Sequence, residues 1–324
     1  MKQALNFSWQ YLPNFKESYL INWPETSESI DLPHSNALIP MHYFNEESYQ
    51  FVSTYQKIFD VNTPLGDQKA YLHFGGFMVK ARIYLNGIDL GEHVSTYLPV
   101  DIDITAAVKQ KDNRLVVVLD AKEDKNIPPF GHVIDYLTYG GIYREVTLEV
   151  LATQHIKHLH VHGSADGELN ISYEVENATL APYSVSFELT YDGEYVDSFQ
   201  EVNHKINEAK IWSIETPHLY ALRANLTSDI SSSSTVVSFG FRDAIFKPDG
   251  FYLNGKKLKL VGLNRHQAYA HVGYAMPKSM QEDDVLTLKK LLGVNVVRTS
   301  HYPQSEHFLN ACDRLGLLVI QEIP

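Results

Sequence analysis

Asn295-Val296-Val297-Arg298-Thr299-Ser300-His301-Tyr302-Pro303 is a short apolar strand that breaks into polar residues, set between two segments of helical period. Upstream, Ser279-Met280-Gln281-Glu282 fits a capping box, Val285, Leu288 and Leu292 follow at helical spacing, and Gly293 supplies a stop. Downstream, Ser305 opens a second helix with Phe308, Leu309, Cys312 and Leu315 inward, Gly316 ends it, and Leu317 to Ile320 is a further strand. Ahead of these, Lys256 to Val261 reads as a strand. Strand, helix, strand, helix, strand makes two right-handed crossovers of a parallel sheet. Ligands of such sheets sit at the carboxyl ends of the strands. Those ends carry Asn264-Arg265-His266-Gln267, then Arg298 to Pro303, then Glu322. Two histidines and two arginines at one mouth fit a hydroxyl-rich or anionic ligand. No G-x-G-x-x-G follows the first strand, which disfavours a nucleotide-binding sheet. No G-x-S-x-G elbow is present, which disfavours an unrelated α/β-hydrolase.

Working toward the N-terminus, the texture changes to β. From about residue 50 to 151, strands alternate with turns. Arg82-Ile83-Tyr84-Leu85, Asn86-Gly87 and Ile88-Asp89-Leu90-Gly91 spell a hairpin. Leu98 to Ile104 alternates, Asn113 to Leu119 is a core strand, and Gly140 to Val150 is read as the closing strand. Even strand spacing and many aromatics predict a jelly-roll β-sandwich over residues 1–151. Residues 152–242 stay β with shorter strands and turns at Ala165-Asp166-Gly167 and Asp192-Gly193, the length of an immunoglobulin-like sandwich. Ser231 to Ser234 is read as a turn. The parallel βαβαβ segment then occupies residues 243–324.

Composition narrows the function classes. At 44% hydrophobic and 20% charged the chain is globular in type. A net charge of −12 argues against nucleic acid and anionic membrane as partners. No apolar run approaches the ~20 residues of a spanning helix, and the first residues lack an apolar signal core, so a cytoplasmic enzyme is the expectation. A single cysteine, Cys312, excludes a disulfide framework and a cysteine-rich zinc module. His158, His160 and His162 alternate on one strand face near His155, but same-face neighbours stand ~6.5–7 Å apart, so a solvated face is favoured over a metal comb. Asp101 and Asp103 are likewise an outward face rather than a catalytic dyad.

Asn295 to Pro303, followed by Asn310-Ala311-Cys312-Asp313-Arg314-Leu315-Gly316-Leu317-Leu318-Val319, strongly resembles the signature of glycoside hydrolase family 2. Phe239-Gly240-Phe241-Arg242-Asp243 and Leu253-Asn254-Gly255-Lys256 resemble its junction between second sandwich and barrel. Val261 to His266 resembles the first barrel strand of its galactosidases, and Leu85-Asn86-Gly87 with Asp135 to Glu145 resembles its N-terminal sugar-binding domain. The resemblance implies a jelly roll, an immunoglobulin-like sandwich and the first units of a truncated TIM (β/α)8 barrel, since a whole barrel takes ~250 residues. It also implies a retaining exo-β-glycosidase, with acid/base and nucleophile glutamates about 5–5.5 Å apart across an oxocarbenium-like transition state. Both glutamates belong to later barrel strands, beyond Pro324. No catalytic residue is therefore expected within this chain, and the isolated chain is expected to be inactive. By the same resemblance Asp135, His266 and His301 contact sugar hydroxyls and Arg298 orders the carboxylates, and Asn264 and Arg265 join them as substrate-binding candidates.

Asn264-Arg265-His266-Gln267 looks most like galactosidases, which makes a terminal β-galactoside the expected substrate. The alternatives are a β-glucuronidase of the same family, which shares Arg298 to Pro303, and a non-catalytic carbohydrate-binding module, which would not need the βα crossovers. A mannosidase fits less well. No metal ligands are assigned. The resemblance implies Mg2+ or Na+ near the site in some relatives, with ligands only partly inside this chain. An exposed third-strand edge needs a cover, for which a second copy in a homo-oligomer is a candidate.

Overall fold

The computed structural model describes residues 1–42, 45–130, 134, 136–177 and 180–324. The first sandwich pairs two antiparallel sheets. One is four-stranded, in the order Lys2–Ala4, Val146–Leu151, Lys69–Phe74, Val100–Asp103. The other is six-stranded, in the order Glu28–Ile30, Trp9–Leu12, Val52–Phe59, Asn113–Asp120, Lys80–Leu85, Ile88–Val94. Alternate residues face inward, so Tyr55, Leu72, Phe74, Ile83, Leu115, Val117 and Leu148 form the core with Trp9. The hairpin forms at Asn86-Gly87, both with positive φ (55° and 83°), as a two-residue turn that follows the strand twist requires.

The closing strand is shorter than its sequence indicates. It starts at Val146, not Gly140. Gly141 has φ 126°, and a side chain there would stand 2.2 Å from the His34 carbonyl. Tyr143 and Arg144 leave the sheet and turn toward the parallel strands.

The second sandwich packs Gln154–Gly163, Glu168–Asn177 and Asn203–Lys205 against Glu194–Phe199, Ser184–Tyr191, Tyr220–Thr227 and Ser232–Phe239. Its core holds Phe187, Leu189, Leu222, Leu226 and Phe241. Ser232, Ser233 and Ser234 are not a turn: they open the last strand and pair with Thr227, Leu226 and Asn225. Register against Tyr220–Thr227 overrides the local turn preference of serine. His158, His160 and His162 stand opposite Glu174, Ser172 and Asn170, with the first two rings 6.4 Å apart.

Two expectations in the third segment are corrected. Lys256–Leu258 completes a small antiparallel sheet with Ala244–Lys247 and Gly250–Leu253, so it is not the first parallel strand. That strand is Gly262–Asn264, which pairs in parallel with Val296–Thr299, and this in turn with Leu318–Gln321. The capping box also fails to form. The helix Lys278–Leu286 begins two residues earlier than a Ser279 cap would set it, with Pro277 at the cap position, and no side chain caps it. Pro277 has no N–H to satisfy and its fixed φ suits a helix start, so Ser279 falls inside the first turn. The second helix, Glu306–Leu315, keeps its expected ends: Ser305 Oγ accepts from the His307 N–H, and Gly316 takes the left-handed conformation at φ 73°.

Side chains tie the two sandwiches to the parallel segment. Trp212 Nε1 donates to the Asp313 carbonyl at 2.8 Å, and Lys289 Nζ donates to the carbonyls of Ile214 and Gly316, both at 2.8 Å. His307 Nε2 meets Glu145 Oε1 at 2.9 Å across the first sandwich and the second helix. That hydrogen bond raises the His307 pKa, against the opposing effect of burial. Burial alone would raise the Glu145 pKa, but the bond and charge of His307 hold it below the usual value. A raised imidazole pKa stabilises fully below about pH 6.5 and the gain is lost as pH climbs through the raised value. A depressed carboxyl pKa stabilises above about pH 4.3 and the gain is lost as pH falls through the lowered value. The pair therefore contributes most between about pH 4.5 and 6.5. Both groups are about a third exposed, so the stability gap between the wild type and His307→Gln is expected to reach at most ~1 kcal/mol there. Urea midpoints at pH 5.5 and pH 8 check this; an equal gap at both would show that the pair is not linked to pH.

Candidate functional site

The register places Asn264 beside Arg298, and Thr299 beside Gln321, so the strand ends form one mouth. Arg298 sends Nε and Nη2 to Glu322 Oε1, each at 2.5 Å, and Nη1 to Asn264 Oδ1 at 3.4 Å. His301 Nδ1 lies 2.8 Å from Glu322 Oε2. An imidazole nitrogen this close to a carboxylate oxygen carries the proton, so Nδ1–H donates and Nε2 is the ring's other polar atom. Arg298 Nη2, 3.4 Å from the same Nδ1, is then a packing neighbour rather than a second donor to it. The His301 hydrogen bond, with Arg298 beside it, holds the Glu322 pKa below the ordinary carboxylate value, despite some desolvation. Glu322 is thus kept ionised as an orienting anion, the opposite of what a general acid needs.

The His266 and His301 rings meet edge to face at 5.4 Å and 76°. His266 Nδ1 lies 3.1 Å from the Tyr302 hydroxyl, and Tyr302 is fully buried, its phenol pKa raised by desolvation. The first sandwich lays Tyr136 against all three, with ring centroids 5.5 Å from His266, 5.7 Å from His301 and 5.3 Å from Tyr302. Behind them, Tyr97 stacks on Tyr302 at 4.3 Å, and Tyr274 packs on Tyr97, Tyr139 and Tyr143 while donating to the Leu137 carbonyl at 2.6 Å. The result is a polar mouth with an aromatic wall, in which imidazole, amide and carboxylate groups can exchange hydrogen bonds with sugar hydroxyls.

Of the residues singled out from sequence, Asn264, His266, Arg298 and His301 come together at this mouth. Asp135 lies outside the described residues. Arg265 does not face the mouth. It is 7% exposed, and its guanidinium pairs with Asp284 at 2.6 Å, donates to Gln281 at 2.8 Å and to Gln304, and lies 4.0 Å over the Phe308 ring. Residues flanking a strand point alternately to its two sides, so Asn264 and His266 share the mouth while Arg265 faces the helices. Pro324 is exposed, past the end of the strand Leu318–Gln321, and its ring offers no polar group to the mouth. The acid/base and nucleophile glutamates expected beyond Pro324 fall outside the residues described, and Glu322 is the carboxylate that this segment itself brings to the mouth. Local pattern does not mark Tyr136 or Tyr302, whose partners lie far away in sequence. Among the described residues no three His, Cys, Asp or Glu side chains are grouped to hold a metal ion.

Comparison with known proteins agrees with this architecture. The family model "Glycosyl hydrolase 2 galactose-binding domain-like" matches residues 29–129, "Glycosyl hydrolases family 2" matches 145–242, and "Glycosyl hydrolases family 2, TIM barrel domain" matches 245–324. A β-galactosidase of Thermoanaerobacterium thermosulfurigenes is 42% identical over 99% of this chain and 48% of its own length. A putative β-glucuronidase of Formosa agariphila is 32% identical over 100% of this chain and 41% of its own length. Among solved structures, the β-glucuronidase of Parabacteroides merdae superposes with a TM-score of 0.89 at 27% identity, over 100% of this chain and 47% of that one. The chain spans about half the length of these relatives. The three matched segments follow one another in order along most of the chain, coincide with two sandwiches and a parallel βα segment, and place it in one family: this chain belongs to glycosyl hydrolase family 2.

Proposed function

We propose that this chain supplies the sugar-binding framework of a retaining exo-β-glycosidase acting on terminal β-galactosides. The observation that carries the reading is the joining of His266, His301, Arg298 and Asn264 at one strand-end mouth under Tyr136. In this reading His301, its Nδ1–H fixed on Glu322, presents Nε2 to a sugar hydroxyl. The Asn264 side chain takes a second hydroxyl, and the tyrosine wall excludes water from the apolar face of the ring. Binding energy gathered here holds the glycosidic bond for the paired glutamates that the family resemblance places on later strands. The resemblance implies that those glutamates lie beyond Pro324 and that Glu322 is neither of them, and Glu322 is held ionised by His301 and Arg298.

Galactoside is favoured over glucuronide by the likeness of Asn264-Arg265-His266-Gln267 to galactosidases and, among the described residues, by charge. A glucuronate carboxylate asks for a free cation at the mouth. Arg298 is already paired with Glu322, and Arg265 is buried on Asp284. The glucuronide reading is supported by the superposition on the β-glucuronidase of P. merdae, by the 32% identity to the putative β-glucuronidase of F. agariphila and by the Arg298 to Pro303 stretch. Two assays test the proposal. The purified 324-residue chain is expected to give no hydrolysis of 4-nitrophenyl β-D-galactoside, and robust turnover abolished by Glu322→Gln would overturn that. The longer enzyme containing this chain is expected to prefer the aryl galactoside over the aryl glucuronide; the reverse preference would replace galactoside by glucuronide.

A further inference from the structure

Arg144 sits where the first sandwich turns toward the parallel strands, one residue before Glu145. Its Nη1 donates to two carbonyls of its own sandwich, Gly75 at 3.2 Å and Tyr97 at 3.0 Å. Its Nη2 donates across the boundary, to Gln267 Oε1 at 3.1 Å and the Pro303 carbonyl at 3.2 Å. Gln267 directly follows His266, and Pro303 lies two residues after His301. Gln267 is 1% exposed, so its side chain is committed to this seam rather than to solvent. One rigid, planar donor set rooted in the sandwich therefore holds both histidine-bearing loops. Within the parallel segment a second tie, Gln304 Nε2 to the Arg265 carbonyl at 2.6 Å, joins the same loops but does not reach the sandwich. Glu145, the neighbouring residue, also crosses the boundary, but to His307 on the helix behind the site. Two adjacent side chains thus make two different kinds of crossing, one to the site loops and one to the scaffold.

We propose that Arg144 is a positioning residue for the sugar site, setting the placement of His266 and His301 from the sandwich side. Its consequence for ligand rests on the sugar-binding reading above; its effect on the two imidazoles does not. A lysine cannot reproduce the effect, because a single ammonium lacks the two-pronged reach that spans four acceptors in two domains.

The test compares Arg144→Lys with Glu145→Gln in the 324-residue chain. Each variant breaks one cross-boundary tie, and the 1H–13C imidazole signals of His266, His301 and His307 are followed with His73 as reference. Arg144→Lys is expected to shift or broaden His266 and His301 and leave His307 in place. Glu145→Gln is expected to move His307 and spare the other two. Should Arg144→Lys fail to fold, Gln267→Leu takes its place: it is expected to move the remote His301 signal as well as that of its neighbour His266. Unchanged His301 signals in the folded variant would overturn the proposal, as would equal responses of all three histidines to both substitutions. Galactose affinity, measured on the same samples, is expected to weaken about tenfold in Arg144→Lys, the size of one hydrogen bond to a charged group at the low end of its range. A wild type that binds no galactose but shows the predicted imidazole shifts leaves the positioning role standing and removes the sugar reading instead. A wild type that binds, with unchanged affinity in Arg144→Lys, overturns the role.

Discussion

Replacing Arg265 by methionine is expected to lower stability by about 3–5 kcal/mol, the range for removing one partner of a buried ion pair. Methionine keeps much of the stem's volume over Phe308, so the loss is chiefly electrostatic. The variant strands three acceptors at once: Asp284 Oδ2, Gln304 Oε1 and Gln281 Oε1. Asp284 is 34% exposed and can turn to water, whereas Gln281 and Gln304 are 2% and 3% exposed and cannot. Asp284→Ala acts from the other side. It leaves a guanidinium, whose pKa burial already lowers, without its anion, and arginine cannot escape by losing its proton. The two single variants are therefore expected to be destabilised to a similar degree. The double variant Arg265→Met with Asp284→Ala is expected to fall less than the sum of the two, because no charge is then left uncompensated. Urea denaturation of the four proteins measures this; a fully additive double variant, or a single loss below ~1 kcal/mol, would mean that Arg265 behaves as an ordinary surface charge.

Arg265 also marks the boundary between what is local in this fold and what is not. The two βα units, the hairpin at Asn86-Gly87 and the helix between Ser305 and Gly316 are local features, each written in period, turn chemistry or cap. The strand-end rule then places the site, and side-chain alternation would have sent Arg265 inward while keeping Asn264 and His266 outward. By contrast, the seam that shapes the mouth is non-local. Tyr143 meets Tyr274, and Arg144 meets Pro303 across 159 residues of sequence. The chain carries 20 tyrosines, and no spacing rule separates Tyr97, Tyr136, Tyr139, Tyr143, Tyr274 and Tyr302 from the rest. Where a local signal did fail, a neighbour with a stronger constraint displaced it: Pro277 took the helix start from Ser279, and strand register took Ser232 to Ser234 from a turn.

In the longer enzyme proposed above, His301→Ala is expected to lower kcat/KM about 10²–10³-fold, the effect of removing one preorganised polar group from a water-poor site. Two losses combine in this variant. The sugar loses the ring's Nε2, and Glu322 loses the partner of its Oε2, so the carboxylate is held by Arg298 alone. Glu322→Gln separates them. It leaves His301 in place but replaces the anion that fixes its tautomer by an amide, and takes from Arg298 a salt bridge of 2.5 Å. A smaller fall of ~10-fold is expected there, with most of it in kcat/KM at low substrate rather than in folding. The pH dependence gives the sign. Because the folded Glu322 carboxyl titrates below its ordinary value, the ordered mouth persists as pH falls through about 4.3 and is lost only below that. Glu322→Gln has no carboxyl to protonate and should lack that acid limb. Assays with 4-nitrophenyl β-D-galactoside over pH 3.5–8, alongside thermal denaturation to confirm folding, carry the test. Wild-type kcat/KM in His301→Ala would take His301 out of the sugar site. An unchanged acid limb in Glu322→Gln would assign that limb to another group and leave Glu322 as a scaffold anion alone.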